Sequence, residues 1–420
     1  MSKLRIRNCG PIKEGLDSDD GFISFSKTML LVGDQGTGKS TVAKLFSIFT
    51  WLEKAFYRGD YQIENFETTD FEDLYNNQLL SNAFSNDTQI EYIGDAYRFE
   101  YLNGLFSAAV NNISLINYKR PKIMYIPSER NILSIVKNVD NVDNLPPMLR
   151  LLRTRYLQAS EGLGKDGIFK LPLNGYKIQV HKDTGETFVL EEKSGSSIPL
   201  MNASSGLQSI VPACLVTDYL GNESKKTILE RLKRLNGNKL KKLQIDINDE
   251  VINSELNRFI TSGITKSVSE TSLIKISDYA KEYVNECFIN IVEEPEQNLF
   301  PESQIKNLEF LIDCMNRNIS NKLIVTTHSP YILSYVTLAA KAYELSKKSI
   351  NVKQINEIVS KNSWIDGNNT NVYQLEKGKI RRLSTYGRGL PSDNNMLNSS
   401  LIKSNNLFDA LLDLEENNSD

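Results

Sequence analysis

Three short stretches hold side chains whose types and order could act on a phosphate. The first, "LLVGDQGTGKST", sets Gly33, Gly38, Lys39 and Ser40 in the spacing G-x-x-x-x-G-K-[ST]. An apolar strand pattern enters it and a helical pattern leaves it, the context this spacing requires. Glycines let the backbone N–H groups from Gly33 through Asp34, Gln35, Gly36, Thr37 and Gly38 to Thr41 turn inward onto phosphate oxygens, and the start of a helix adds a favourable dipole. Lys39 would then reach the β and γ phosphates of a nucleotide, and Ser40 would offer a hydroxyl to Mg²⁺.

The second stretch, "FINIVEEPEQNLFP", ends an apolar run on two adjacent acids, Glu293 and Glu294. Two like charges at the end of a buried strand raise a pKa or cost stability unless a cation lies nearby. Magnesium held by Ser40 and a nucleotide would be that cation. Glu293 would bind it, directly or through water, and Glu294 would accept a proton from the attacking water. The third stretch, "LIVTTHSP", repeats the layout with His328 at the strand end. It is one of only two histidines, and its place suggests sensing the γ-phosphate or orienting the water. His181 falls within an alternating β pattern and is assigned a structural role.

Elements that could position these residues are visible in the periodicity. "KLRIRN", "GFISFS" and "TMLLV" read as strands, and from Lys39 onward Val42, Leu45, Phe46, Phe49, Leu52 and Phe56 recur at helical spacing. Residues 57–88 are acidic and Asn-rich and read as a surface insertion. "QIEYIGDAYRFEYL" suits a hairpin. "PKIMYIPSERN" reads as a central strand ending in polar residues, and "MLRLLRTRYLQA" as a helix. Residues 168–200 alternate about a "DTGE" turn as a β-meander. Two nearly all-apolar runs, 286–293 and 322–327, flank a helix with Ile305, Leu308, Leu311, Ile312 and Met315 on one face, a parallel βαβ unit.

Composition narrows the class. The chain has 420 residues and a net charge of −3, which argues against general nucleic-acid affinity and leaves only a local patch, the basic stretch 225–242, for such contacts. Cys9, Cys214, Cys287 and Cys314 form no C-x-x-C pair and read as packing thiols of a reducing compartment. No signal-peptide core and no run long enough to span a membrane is present, so a cytoplasmic location is expected.

With the phosphate loop, "NASSGLQS", "VEEPEQNLFP" and "TTHSP" in that order, residues 1–385 resemble ABC-class ATPases of the SMC and RecF type. Among these they most resemble the overcoming-lysogenization-defect family and the Septu-type and retron-associated ATPases of bacterial defence. "RIRNCGPIKEG" is similar to that group's N-terminal strand pair, and "YIPSERN" to its segment after a core strand. The resemblance implies an α/β fold: an ABC-ATPase head of the P-loop NTPase type with N-terminal antiparallel strands, a β-meander and a helical insertion arm. The expected division is 1–220 and 286–386 for the two parts of the ATPase core, 221–285 for the arm, and 387–420 for a tail with a short amphipathic helix. In this group the signature serine and glycine, carried onto Ser204 and Gly206, bind the γ-phosphate of ATP held by the opposite subunit, which implies a head-to-tail sandwich dimer. The sequence departs from the group's pattern at Glu293, where Asp is common, at Phe300, where Asp is common, and in "YIPSERN", which lacks a metal-contacting Gln. Gln35 or Glu129 could substitute for it. These departures leave the hydrolysis rate open.

The expected function is a dimeric ATP-dependent switch that senses a phage trigger and controls a separate effector, a nuclease or toxin. After His328 there is no D-x-D pair of the kind the nuclease-bearing relatives carry. The alternatives are a RecF-like repair ATPase that grips DNA through the 225–242 arm and, less favoured by the N-terminal strand pair, a transporter motor domain. The stretch "NLFDALLDLEE", with Leu407, Phe408, Leu411, Leu412 and Leu414, reads as a tail helix that docks either on its own core or on a partner.

Overall fold

In the computed structural model, residues 2–111, 118–136, 145–233, 235, 237–262, 268–280, 283–348, 351–383 and 395–417 are described. Residues 387–394 of the expected tail, Arg234 of the basic stretch and the side chain of Leu414 lie outside them. The chain builds three sheets. A seven-stranded sheet runs Gly15–Leu16, Lys379–Arg382, Thr370–Glu376, Thr28–Gly33, Lys322–Thr327, Cys287–Glu293, Pro121–Ile126 from edge to edge. Its five strands from Thr370–Glu376 to Pro121–Ile126 are mutually parallel. Parallel strands are covered on both faces, which is why Thr28–Gly33 and Cys287–Glu293 are buried at every position.

Among the described residues Pro121–Ile126 pairs only with Cys287–Glu293, at the edge of the sheet and not as the central strand its apolar sequence suggested. The helices Lys39–Tyr57 and Pro147–Glu161 pack against it, so it is as apolar as an interior strand. A second, antiparallel sheet contains Phe22–Ser24, Lys3–Arg7, Gln89–Ile93, Tyr97–Leu102 and Leu105–Val110. The helix Lys39–Tyr57 packs on the parallel strands and against this sheet, where Phe49 stacks on Tyr92 with ring centroids 5.3 Å apart. Two apolar neighbours explain why residues around most of its circumference are buried.

The segment 57–88 is not a surface insertion throughout. Its helix Thr68–Asn77 buries Phe71 and Tyr75, and Phe84 stacks on Tyr75 at 3.8 Å. Its acidic and amide side chains form the outer face of an aromatic cluster. The meander is a third sheet of Ile168–Lys170, Tyr176–Val180, Thr187–Glu191 and Ser197–Pro199. Residues from Leu232 to Ala280 close a small hydrophobic core of their own around Leu243, Leu256, Phe259 and Ile276. Among the described residues no helix is long and apolar enough to cross a membrane.

Candidate functional site

Parallel strands deliver their carboxyl ends to one edge of the sheet, the place where open α/β sheets bind ligands. Register decides which side chains meet there. Val32 pairs with Thr327, so Gly33 and His328 leave the sheet side by side. Thr326 pairs with Glu293 and Val292 with Ile126, which sets Glu294 beside Thr327 and Pro127 beside Glu293.

From Gly33 the chain turns tightly into the helix Lys39–Tyr57. The Thr37 hydroxyl donates to the Asp34 carbonyl at 2.8 Å, and the Gln35 N–H donates to the Asp34 carboxylate at 2.7 Å. Gly38 has φ +101°, a conformation that disfavours a side chain, and a Cβ there would lie 2.8 Å from Ile12. Asp34, Gln35, Gly36 and Ser40 are exposed, whereas Lys39 and Thr41 are buried. The Lys39 ammonium folds back on its own loop, donating to the carbonyls of Gly33 at 2.9 Å and Asp34 at 2.8 Å. Burial lowers its pKa, against the opposing pull of Glu294, Glu296, Asp34 and Glu293.

His328 joins the loop to the acids. Its Nδ1 lies 3.4 Å from Lys39 Nζ and its Nε2 lies 3.0 Å from Glu294 Oε1. An ammonium can only donate, so the imidazole accepts at Nδ1 and carries its proton on Nε2, from which it donates to Glu294. That hydrogen bond is the main reason the Glu294 carboxyl is held below its ordinary pKa, assisted by the charges of Lys39 and Arg130. Glu294 itself sits at φ +43°. This left-handed backbone breaks the strand immediately after Glu293.

Glu293 is 5% exposed. One of its oxygens accepts from the Ser128 N–H at 3.3 Å; Oε1 is buried and makes no well-formed hydrogen bond among the described residues, its carboxylate lying against the buried Tyr125 hydroxyl. A carboxylate oxygen taken out of water and left unpaired is costly unless something positive completes it.

Two residues of this site were not singled out in the sequence. Arg130, 1% exposed, lies beneath the acidic pair. Its Nη1 donates to the carbonyls of Glu293 at 2.7 Å and Pro127 at 3.1 Å, Nη2 to that of Glu294 at 2.8 Å, and Nε to that of Ser209 at 3.1 Å. Burial pushes its pKa down to about 10, so it remains a cation at neutral pH. Part of the positive charge expected beside the pair is therefore built into the protein. Glu296 accepts from the Thr327 hydroxyl and the His328 N–H, both at 2.7 Å, and fixes the backbone from which His328 projects. Burial raises its pKa. Nothing local in "SERN" or "EPEQ" distinguishes these side chains from surface charges.

Gln35 and Glu129 are both exposed, and neither makes a hydrogen bond to Glu293. Ser204 is the N-cap of the helix Ser205–Lys225 and is exposed. Gly206 packs so closely on the loop after the acids that a Cβ would lie 2.6 Å from the Asn298 carbonyl, so the glycine has a packing reason of its own. The structure brings Gly33, Lys39, Glu293, Glu294 and His328 together. It leaves Ser204 and Gly206 on a neighbouring element, with no hydrogen bond to the Gly33–Thr41 loop among the described residues.

No family model and no curated protein matches the chain. Solved structures similar to it include an SMC head domain from Thermotoga maritima, at 10% identity and TM-score 0.37, covering 91% of this chain and 98% of that one. Another is an SMC head bound to the C-terminal winged-helix domain of ScpA, at 12% identity and TM-score 0.36, covering 91% and 96%. A third is an SMC head with an extended coiled coil bound to the C-terminal domain of ScpA from Pyrococcus furiosus, at 11% identity and TM-score 0.35, covering 92% and 96%.

Proposed function

We propose that this chain is an ABC-class ATPase that binds and hydrolyses Mg-ATP, dimerises around nucleotide, and acts as a switch for a separate effector in anti-phage defence. The observation that carries the ATPase assignment is the continuous path Lys39–His328–Glu294, with the buried Glu293 Oε1 beside it. Loop, sensor and base stand on three adjacent parallel strands and are connected before any ligand arrives.

The donors present suit a magnesium nucleotide. Glu293 Oε1 is a buried acceptor that makes no well-formed hydrogen bond among the described residues, and Ser40 is exposed at the first turn of the helix. Among the described residues no three His, Cys, Asp or Glu side chains gather into a metal cage. When bound, the ion would offset phosphate charge during transfer.

The residues then divide the work. Phosphates compete with the Gly33 and Asp34 carbonyls for the Lys39 ammonium and draw it off His328 Nδ1. His328 keeps its Nε2 proton on Glu294, and its Nδ1, released by Lys39, is left as an acceptor for an O–H such as that of the attacking water. Glu294, ionised at neutral pH, takes the proton of the attacking water. Arg130 and Glu296 hold the backbones of base and sensor, so both keep their geometry while Lys39 moves. Ser204 and Gly206 would meet nucleotide on a second copy, since neither bonds to the loop of its own chain. The defence role is supported by the resemblance of the ordered motifs.

The test is Glu294→Gln. ATP affinity should change little, while turnover falls by about 10²–10⁴-fold. ATP should also trap a dimer detectable by light scattering. Wild-type turnover in this variant would remove Glu294 from the mechanism.

A further inference from the structure

A second cluster of charge lies where the main core meets the small helical core. A cavity of about 260 Å³ opens there, walled by Leu220 and Phe288 on one side and Leu235 and Tyr283 on the other. Four separate elements send a cation to it. Lys122 comes from the edge strand and Arg155 from the helix Pro147–Glu161. Arg231 comes from Ile228–Leu232 and Lys239 from Gly237–Asp246.

Among the described residues Glu223 is the single carboxylate on the wall, and it is ion-paired with Lys226. The Nε atoms of Arg155 and Arg231 are buried and have no acceptor. Lys122 has no hydrogen-bond or ion-pair partner among the described residues. Chains do not bring four cations into one partly buried space without cost, because each is desolvated and repelled by the others. An anion in the cavity would reverse both terms.

We propose that this cavity binds the phosphate group of a small phosphorylated ligand of nucleotide size, at a place distinct from the Gly33–Thr41 loop. Guanidinium and ammonium donors from different directions suit a phosphate, which has acceptor oxygens on every side. Tyr219 and the apolar walls offer a surface to the body that carries it. The volume is near the lower end of small-molecule sites, roughly 300–1,000 Å³, and is too small for a protein segment of any length.

The state of the lysines agrees. Burial first, and then the charges of Arg155, Lys239 and Arg58, push the Lys122 pKa down to about 7. Lys54, buried behind the edge strand, is likewise pushed to about 7, by burial and then by Lys122 and Arg58 among others. An arriving anion favours the protonated amines, so binding takes up protons at pH above about 7 and weakens as pH rises.

The experiment uses the full chain and its Lys39→Ala variant, in which the phosphate loop has lost its lysine. Each is titrated with AMP and with inorganic phosphate by calorimetry. We expect AMP to saturate a single site in both proteins, and Lys122→Gln or Arg155→Gln to weaken it about tenfold or more. Lys122→Gln without ligand should melt no lower than its parent, because it relieves repulsion, which separates lost binding from misfolding. Equal affinity for inorganic phosphate would support recognition of the phosphate group alone, and tighter binding of AMP would support a nucleotide. The proposal is overturned if neither ligand saturates at millimolar concentration, if Lys122→Gln binds as the parent does, or if only duplex DNA binds, with a steep salt dependence.

Discussion

The two charged regions of this molecule are wired in opposite ways. At the carboxyl ends of the parallel strands, unlike charges face each other and are linked, Lys39 to His328, His328 to Glu294, Arg130 to the carbonyls of both acids, while the atoms left over are mainly acceptors, one oxygen each of Glu293 and Glu296. At the seam between the cores, charges of one sign converge and several of their donors have no acceptor. The first arrangement balances its own charge and leaves carboxylate oxygens of Glu293 and Glu296 without a donor. The second is complete only when an anion enters. A buried cation thus means different things in the two places, and its partners decide which.

The contrast breaks most visibly at Arg130. Arg130→Ala would take a guanidinium donor from four carbonyls, of which Pro127 and Glu294 would keep a backbone N–H, and would leave the acid loop without its cation; it should cost on the order of 3–5 kcal/mol, read as a lower midpoint in denaturant. Lys122→Gln should carry no such penalty. Comparable losses from both would mean that the two cations play the same structural role.

Next in size is His328→Ala. If His328 links the nucleotide to Glu294, turnover should fall about 10²-fold, as expected for a misplaced catalytic group, while ATP affinity changes far less. Parallel losses in both would make His328 a plain binding residue.

Much of the phosphate-loop region was legible because its chemistry is local. The spacing of Gly33, Gly38, Lys39 and Ser40 and the run from Val42 to Phe56 are each confined to one turn or one helix. What escaped was long-range. Arg130 looks like a surface residue in "SERN" because its hydrogen-bond partners lie 163 and 164 positions away. Pro121–Ile126 read as central because apolarity reports cover on the two faces and says nothing about whether a further strand pairs at the side. Phe71, Tyr75 and Phe84 were outvoted by acidic and amide neighbours that form the outer side of the same segment. The expected short tail helix is longer, Met396–Asn417: its first turns carry Met396, Leu397, Leu401 and Ile402, but the Asn and Ser residues among them read as a polar lead.

The smallest effect is expected at that tail. Met396 is tied down through its N–H to Gln374 at 2.9 Å, but Ile402, Leu407, Phe408, Leu411 and Leu412 are all exposed. Deleting residues 400–420 should leave ATP affinity unchanged and stability within about 0.5 kcal/mol, measured by thermal melting. A drop of several degrees would place this helix among the elements that cover the core.

The central claim is that Lys39 abandons its own loop and His328 for the phosphates of ATP. Calorimetric titration of wild type and Lys39→Ala with Mg-ATP measures this directly. The account predicts saturable binding at the strand-end site by the wild type, and in the variant no binding there, with any residual heat from the seam cavity removed by the further change Lys122→Gln. Unchanged affinity in the Lys39→Ala, Lys122→Gln double variant would contradict it.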